Sequence, residues 1–542
     1  MEIIKLFLEK GFLLESNFKN ILKDVNPLIA HELVDIILNI AAKNKRVISV
    51  QDFFSNIHKI NTLLNNIKKE NQKEKNEVIE KTISYFFSLL HEKREKKERE
   101  ESKRDEGKQE GKEDEDKKKR IEEKTKKIRN FSVIKSYFIP SRKIGAEDFT
   151  NYFRNRFTII KNILQERAGL DNLISINKIT SDKQRVSIIG MISSKRTTKN
   201  KHILLEVEDL TGRITVLVHS SKRELMQKAK ELVLEDIDAF CCNGTSEILF
   251  ANDIIFPDIG ISAVKRCPLE ECAAFISDIH VGSTHFLEEK FLKFISWLNL
   301  ESGSDEQKAV AKKVKYLFIV GDTVDGVGVF PKQEDLLSIK DIGMQYSKLA
   351  EMLKKIRKDI TIILCPGQHD AVRLAEPQPP LGIYASELHS LENLVLVSNP
   401  SIIKIGVTES FDGLKVLLYH GASFHSLIDD IEELRIKRAS DSPTQVVEYI
   451  LKKRHLAPSH SSVVYIPTKE EDPLAICEVP DIVATGEMHR AEVGYYNNIL
   501  MIASSCWQSI TPFEEKVGNH PDPCKVPILN LKTREVKIID FS

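Results

Sequence analysis

The sequence predicts an α/β chain in several parts: a C-terminal half of alternating strands and helices, a small barrel of strands before it, and a helical module at the start. Three observations predict this. From residue 268 onward, apolar runs of buried-strand type alternate with helical patterns, and the runs end in Asp, His, Gln or Glu. Between Leu173 and Pro257 short β-like segments dominate. Residues 91–130 hold 31 charged residues in 40, 17 basic and 14 acidic, a composition that can bury no apolar face and so separates two folded parts. The resulting boundaries are 1–66 for the helical module, 67–130 for a charged linker, 131–170 for a helical connector, 171–262 for the barrel and 268–542 for the C-terminal domain. A length of 542 residues fits three or four domains at ~150 residues each.

Composition narrows the function classes. Basic and acidic residues number 80 each, which excludes a wholesale basic coat for nucleic acid but not a local patch. Hydrophobic residues make up 41%, enough for real cores. No apolar run reaches the ~18 residues that span a bilayer. Met1–Asn17 mixes Glu2, Lys5, Glu9 and Lys10 into its apolar residues and shows no cleavage pattern. Eight cysteines without a Cys-x-x-Cys spacing indicate neither a disulfide scaffold nor a zinc ribbon. The expected setting is cytoplasmic, with no membrane partner.

In the N-terminal module, Asn26-Pro27 reads as a helix cap followed by proline at the first helical position. Ile29, Leu33, Ile36, Ile37 and Ile40 recur at helical spacing, either as a core stripe or as a docking face for a partner helix. The charged tract reads as a spacer, with a nucleic-acid-binding arm as the alternative. Beyond it, Asp148 to Arg167 has helical periodicity, with Phe149, Phe153, Phe157 and Ile160 on one side. The expected barrel strands are Val186–Ile192, His202–Glu208, Ile214–His219, Ile237–Cys241 and Ile248–Ile255, and residues 208–213 carry hairpin chemistry. Five short strands in about 85 residues suit a closed barrel of the OB type. Lys195, Arg196, Lys199 and Lys201 are expected in the loop between its first two strands, as DNA phosphate contacts or as an ordinary solvated tip.

Five C-terminal strands carry the chemistry. Ala273–Ser277 leads to Asp278 and His280, which alternation in extended backbone turns to one side while Ile279 faces the core. Tyr316–Val320 leads to Asp322 and Asp325, and Thr361–Leu364 leads to Gln368, His369 and Asp370. Val416–Tyr419 leads to His420, and Asp481–Thr485 leads to Glu487 and His489. Each signal is commonplace alone; His420 by itself is more often a structural histidine than a ligand. Together, always at carboxyl ends of strands, they make a site at the mouth of an α/β sheet. Mixed oxygen and imidazole ligands suit Mn²⁺, Fe or Zn²⁺ rather than Ca²⁺. A carboxylate shared between two ligand sets is what two-metal phosphodiester chemistry requires.

The blocks Asp278-x-His280, Gly321-Asp322-x-x-Asp325, Gly367-Gln368-His369-Asp370, His420-Gly421 and Gly486-Glu487-x-His489 resemble the five motifs of calcineurin-like phosphoesterases. The wording Ser277-Asp278-Ile279-His280-Val281-Gly282-Ser283, Gly321 to Val329, Ala375-Glu376-Pro377-Gln378-Pro379 and Ser505-Cys506-Trp507-Gln508-Ser509 is closer to one branch, the small subunits of archaeal family-D DNA polymerases. The upstream barrel, which ordinary phosphatases lack, agrees. The resemblance covers about residues 145–540 and implies a metallophosphoesterase sandwich after an OB-fold barrel. It implies a 3′→5′ exonuclease that also scaffolds the large catalytic subunit, acting on DNA 3′ ends with two divalent ions, Mn²⁺ first, with Mg²⁺ or Fe as alternatives. Asp278, His280, Asp322 and His489 would then hold the first metal. Asp322 would bridge to the second, with Gln368, His420 and Glu487. His369 would be the general acid, assisted by Asp370.

Two positions depart from the family pattern, which has Asn at 368 and His at 487. Gln368 moves the amide oxygen by one methylene, roughly 1.5 Å, against the ~0.5 Å tolerance of a preorganised site. Glu487 adds negative charge, which favours Mn²⁺ or Mg²⁺ and makes bound water less acidic. Either the site has been retuned, or it is decaying toward a silent scaffold with the same fold and partners. A free-standing phosphatase or cyclic-nucleotide phosphodiesterase is the third reading, which the barrel disfavours.

Overall fold

The computed structural model describes residues 2–10, 13–14, 22, 25–41, 47–48, 53, 56–66, 75–83, 130–139, 142–469 and 471–542. The chain divides into two compact units, residues 1–113 and 114–542.

The first unit packs helices Glu2–Glu9, Ala30–Ala41 and Ile57–Asn66 around Phe7, Leu33, Ile37, Phe53 and Leu64. The two-residue strands β1 (Leu13–Leu14) and β2 (Val47–Ile48) pair in parallel. Asn26 Oδ1 accepts from Leu28 N at 3.0 Å, with Pro27 opening the turn, as the sequence predicts. Ile29, Leu33, Ile36 and Ile37 are buried, so the stripe is core rather than a free docking face; the Ile40 side chain lies outside the described residues. Residues 75–83, read as linker, are helical and bury Ile79 in this core. Most of the charged tract, 91–129, also lies outside the described residues.

The second unit opens on β3 (Phe131–Ser136), followed by the helix Ala146–Gln165. The stretch 131–170 is therefore only partly a helical connector: β3 is an edge strand of a distant sheet, paired antiparallel to β13 (Ser401–Ile405). Within the helix, the expected aromatic face is rotated. Phe149 is exposed, while Tyr152 and Arg156 point inward, because Asp472 waits there to pair with them. Phe157, Ile160 and Leu164 do pack, against Ile189, Ile237 and Ala239 of the barrel.

The barrel comprises β4 (Gln184–Thr197), β5 (Ile203–Glu208), β6 (Arg213–Val218), β7 (Ile237–Gly244) and β8 (Ile248–Ile255), closed in the order β4-β5-β6-β8-β7. Alternating Val186, Ile188, Leu205, Val207, Val216 and Val218 fill it. At the β5–β6 hairpin, Asp209 Oδ1 accepts from Thr211 N at 2.7 Å and Gly212 N at 3.0 Å, the local chemistry that marks such turns. The first strand runs to Thr197, so Lys195 and Arg196 are strand residues, not loop. Lys195 Nζ donates to Lys230 O and Leu232 O at 2.9 and 2.7 Å, which commits it to the barrel itself. Arg196, Lys199 and Lys201 are exposed.

The remainder is two six-stranded sheets packed face to face. One runs β12 (Leu394–Leu396), β11 (Thr361–Cys365), β10 (Val314–Val320), β9 (Cys272–Ile276), β18 (Lys525–Asn530), β19 (Val536–Asp540). The other runs β16 (Glu492–Tyr496), β17 (Ile499–Ala503), β15 (Ile482–Thr485), β14 (Leu414–Leu418), β13, β3. Phe275, Phe318 and Val320 of the first meet Ile403, Val416, Leu418 and Ala484 of the second. Helices Glu288–Leu298 and Ile342–Leu353 cover the first outer face, and Thr444–Lys453 the second. The five predicted strands are all present, but they do not share one sheet: β9, β10 and β11 are parallel neighbours in one, β14 and β15 in the other. Their carboxyl ends meet across the sandwich. No helix among the described residues is long and apolar enough to cross a membrane.

Candidate metal centre

Backbone conformation, not strand alternation, turns the site residues together. Asp278, His280, Asp322, Glu487 and His489 all sit at positive φ, from 47° to 68°, a region that non-glycine residues seldom occupy and that gathers at functional sites. Ile279 still enters the core. Asp278 N donates to Gly321 O and His280 N to Asp322 O, each at 3.1 Å, lacing the ends of β9 and β10 together. Close approach requires glycine: a Cβ on Gly367 would fall 2.2 Å from Asp322 Oδ1.

Three overlapping groups result: Asp278, His280 and His489; Asp278, Asp322 and His420; His280, Asp325 and His369. Asp278 Oδ1 lies 3.4 Å from His489 Nε2, 3.8 Å from His420 Nε2 and 3.9 Å from His280 Nε2. Asp278 is thus the carboxylate common to the first two groups, whereas Asp322, expected as the bridge, is grouped with His420 at 3.2 Å. Glu487 Oε2 is 3.2 Å from the same His420 Nε2 and accepts from Gln368 Nε2 at 2.8 Å.

The donor set fits divalent cations. Asp278 Oδ1, His280 Nε2, His420 Nε2 and Gln368 Oε1 are buried and make no hydrogen bond. Orphaned buried polar atoms are rare and cost roughly 1–3 kcal/mol each, and four of them converge here as oxygen and imidazole donors. Each ring is fixed from behind, as metal-binding imidazoles are. His420 Nδ1 faces Val320 O at 2.7 Å, His489 Nδ1 faces Glu514 Oε1 at 2.8 Å, and His280 Nδ1 faces Asp325 Oδ1 at 3.2 Å. These partners assign the Nδ1–H tautomer and leave Nε2 for ligation.

His369 sits at the open side. Its backbone N donates to Asp322 Oδ1 at 2.8 Å, and Nδ1 faces Asp325 O at 2.7 Å. Burial opposes its charge, but the Asp322 carboxylate and the Asp325 carbonyl outweigh burial and raise its pKa above the ordinary imidazole value. Asp322 mirrors this: burial works against ionisation, yet His420 and His369 hold it below the usual carboxylate range. Asp370 does not assist His369 directly. It accepts from Gly367 N at 2.9 Å, from Tyr346 OH at 3.0 Å and from Thr323 N and Oγ1, so it fixes the β10 and β11 ends.

Residues 273–493 match the family model for the B-type subunit of DNA polymerases alpha and epsilon. The DNA polymerase II small subunit of Methanothermobacter thermautotrophicus is 37% identical over 403 residues, covering 74% of this chain and 80% of that one. The chain belongs to the DNA polymerase II small-subunit family. Its relatives of that name include those of Pyrococcus furiosus, 36% identical with 74% of this chain and 64% of that one covered, and Archaeoglobus fulgidus, 36% identical with 71% and 75% covered. Among solved structures, a novel archaeal phosphodiesterase aligns with 49% of this chain and 98% of its own at 15% identity. The TM-score of that alignment is 0.24.

Within this family member, Asp278, His280, Asp322, Gln368, His369, His420, Glu487 and His489 all reach one centre; Lys195, Arg196, Lys199 and Lys201 belong to the barrel. Three participants had no assigned role. Asp325 stood inside a recognised motif, yet its carboxylate serves His280 and its carbonyl serves His369. Gln508 Nε2 donates to Asp325 Oδ1 at 3.1 Å. Glu514 carried a legible signal, the capping box Thr511-Pro512-Phe513-Glu514. Its Oε2 accepts from Thr511 N at 2.8 Å while Oε1 holds His489.

Proposed function

We propose that the chain is a metallophosphoesterase sandwich behind an OB-fold barrel, acting as a 3′→5′ proofreading exonuclease and as scaffold for the large catalytic subunit of a family-D DNA polymerase, in the cytoplasm. The observation that carries this reading is the convergence of four buried, unpartnered ligating atoms between strand ends of both sheets. Asp278, His280 and His489 would hold one divalent cation, and Asp322, Gln368, His420 and Glu487 the other, with Asp278 reaching both sets, Mn²⁺ first among Mn²⁺, Mg²⁺ and Fe. Bound there, the cations supply Lewis acidity to the phosphodiester and a lowered pKa for water.

The rest is done by the chain's own groups. Glu514, Val320 O and the Asp325 carboxylate keep the three ligand imidazoles, His489, His420 and His280, in one tautomer. Asp325 O holds the His369 Nδ1 proton, so Nε2 is the nitrogen that hands a proton to the leaving 3′ oxygen. Arg196, Lys199 and Lys201, exposed at the β4–β5 turn, are available to DNA phosphate. The test is Mn²⁺-dependent digestion of a mismatched primer with the large subunit present and absent. No digestion at any Mn²⁺ concentration in either case would remove the exonuclease reading. One observation favours the silent-scaffold alternative: Glu487 Oε2 already accepts from Gln368 Nε2, so of this pair's facing atoms only Gln368 Oε1 stays open.

A further inference from the structure

The segment after Asp325 is apolar yet exposed. Val327, Val329 and Phe330 are 49%, 39% and 41% exposed in a loop that leaves the candidate centre directly. The Phe330 ring stands edge-to-face on His369, with centroids 6.3 Å apart and planes at 63°. The loop is anchored from beneath. Gly326 takes φ of 77°, and a Cβ there would fall 2.4 Å from His369 O, so only glycine lets the loop press against the histidine. Gly326 N donates to Gln345 Oε1 at 2.9 Å, and Val329 N donates to Gln333 Oε1 at 2.9 Å. Gln333 is fully buried, and its Nε2 donates at 2.8 Å to Asp325 O, the carbonyl that receives His369 Nδ1. One amide side chain therefore fixes both the apolar tip and the histidine.

We propose that Phe330 is the stacking platform for the terminal base of an unpaired 3′ end, and that it makes the site select single-stranded over paired termini. The proposal rests on the reading of the centre as a DNA phosphodiesterase. An aromatic face accepts any base, because every base has a π-face, and such contacts are a main source of sequence-tolerant single-strand binding. A paired terminal base exposes only its outer face and is held in place by its partner strand, whereas a frayed or mismatched base leaves the stack at little cost and can lie on the ring. Because Gln333 ties the loop to Asp325 O, the ring stands at a fixed distance from the proton donor rather than on a free arm. The run from Gly326 to Pro331 carries no charge and its nearest cation in sequence is Lys332, so the tip itself offers an apolar face to the base.

The test uses the full chain and a single strand carrying 2-aminopurine at its 3′ end, in EDTA, where no hydrolysis runs. Repulsion between the site carboxylates and phosphate is common to all variants, so their ratio reads the stacking alone. Wild type and Phe330→Tyr are expected to quench the fluorescence. Phe330→Ala is expected to lose the quenching and bind about tenfold more weakly, and a strand with an abasic 3′ end to bind both chains alike. Equal quenching and Kd in wild type and Phe330→Ala overturns the proposal, as does no binding by wild type. If Phe330→Ala no longer binds the large polymerase chain while its DNA response stays intact, the proposal is also overturned and the patch becomes a protein contact. The two readings fail separately. A chain that stacks the base yet cleaves no DNA removes only the exonuclease, whereas one that cleaves single strands with KM unchanged by Phe330→Ala removes only the platform.

Discussion

Gln368 Nε2 donates a hydrogen bond to Glu487 Oε2 at 2.8 Å. The two positions that the sequence resemblance marks as departures from the phosphoesterase motifs are thus in contact, and neither can be read alone. The longer amide reaches a carboxylate that a histidine would not have presented, while its own Oε1 stays buried and unpartnered. Residues in contact are expected to couple by about 0.5–3 kcal/mol. Mn²⁺ and Zn²⁺ affinities of wild type, Gln368→Asn, Glu487→His and the double reversion should therefore be non-additive, with the double reversion shifting preference toward Zn²⁺ more than it changes the rate. Strict additivity would mean that the pair is incidental.

Asp278 and Asp322 separate by geometry. Asp278 Oδ1 faces three imidazoles, and Asp278 belongs to two ligand groups, while Asp322 belongs to one. Asp278→Ala should bring bound Mn²⁺ close to zero, whereas Asp322→Ala should retain part of it; both should abolish nuclease activity. Metal content after desalting decides, and full retention by Asp278→Ala would contradict the shared-carboxylate arrangement.

His369→Ala should lower kcat by about 10²–10⁴-fold while leaving Mn²⁺ stoichiometry unchanged, since the ring hydrogen-bonds a carbonyl rather than facing the Asp278 group. A parallel loss of metal would make it a ligand instead.

Glu514→Ala should weaken Mn²⁺ binding by about 10–100-fold through His489 alone, the usual effect of removing a partner behind a ligand imidazole. Glu514→Gln should recover part of this, because its amide oxygen can still accept from Nδ1. Calorimetric titration of the three chains checks both.

Legibility in the sequence followed the range of the contacts. The barrel strands alternate locally and could be read; the extension of β4 to Thr197 could not, because its charged end, paired with Ile203–Leu205 of β5, carries no apolar alternation. The ends of β9, β10, β11, β14 and β15 were recognisable from apolar runs meeting Gly, Asp and His. Their division between two sheets came from the resemblance to a sandwich and not from any local pattern, and the edge pairing of β3 with β13 was recorded by neither. The ligand set came from resemblance to a family, and resemblance passed over Asp325 and Glu514, which act through histidines rather than on a ligand.

Burial and charge make one last region sensitive to acid. Asp472 accepts from Arg156 Nε at 2.7 Å and Tyr152 OH at 2.8 Å and lies 2.9 Å from His455 Nε2, all buried, joining the helix Ala146–Gln165 to the sandwich. Burial alone would raise its pKa, but Arg156 and His455 outweigh burial and hold it well below the usual carboxylate range. A carboxylate depressed in the folded state gives stability that is complete above its unfolded value of about 3.9 and is lost as pH falls toward the folded value. Removing one partner of a buried ion pair costs about 3–5 kcal/mol. Asp472→Asn should therefore lower the urea midpoint at pH 7, and its deficit relative to wild type should shrink below about pH 4. A deficit constant from pH 7 to pH 3 would mean that packing around residue 472, and not its charge, carries the stability.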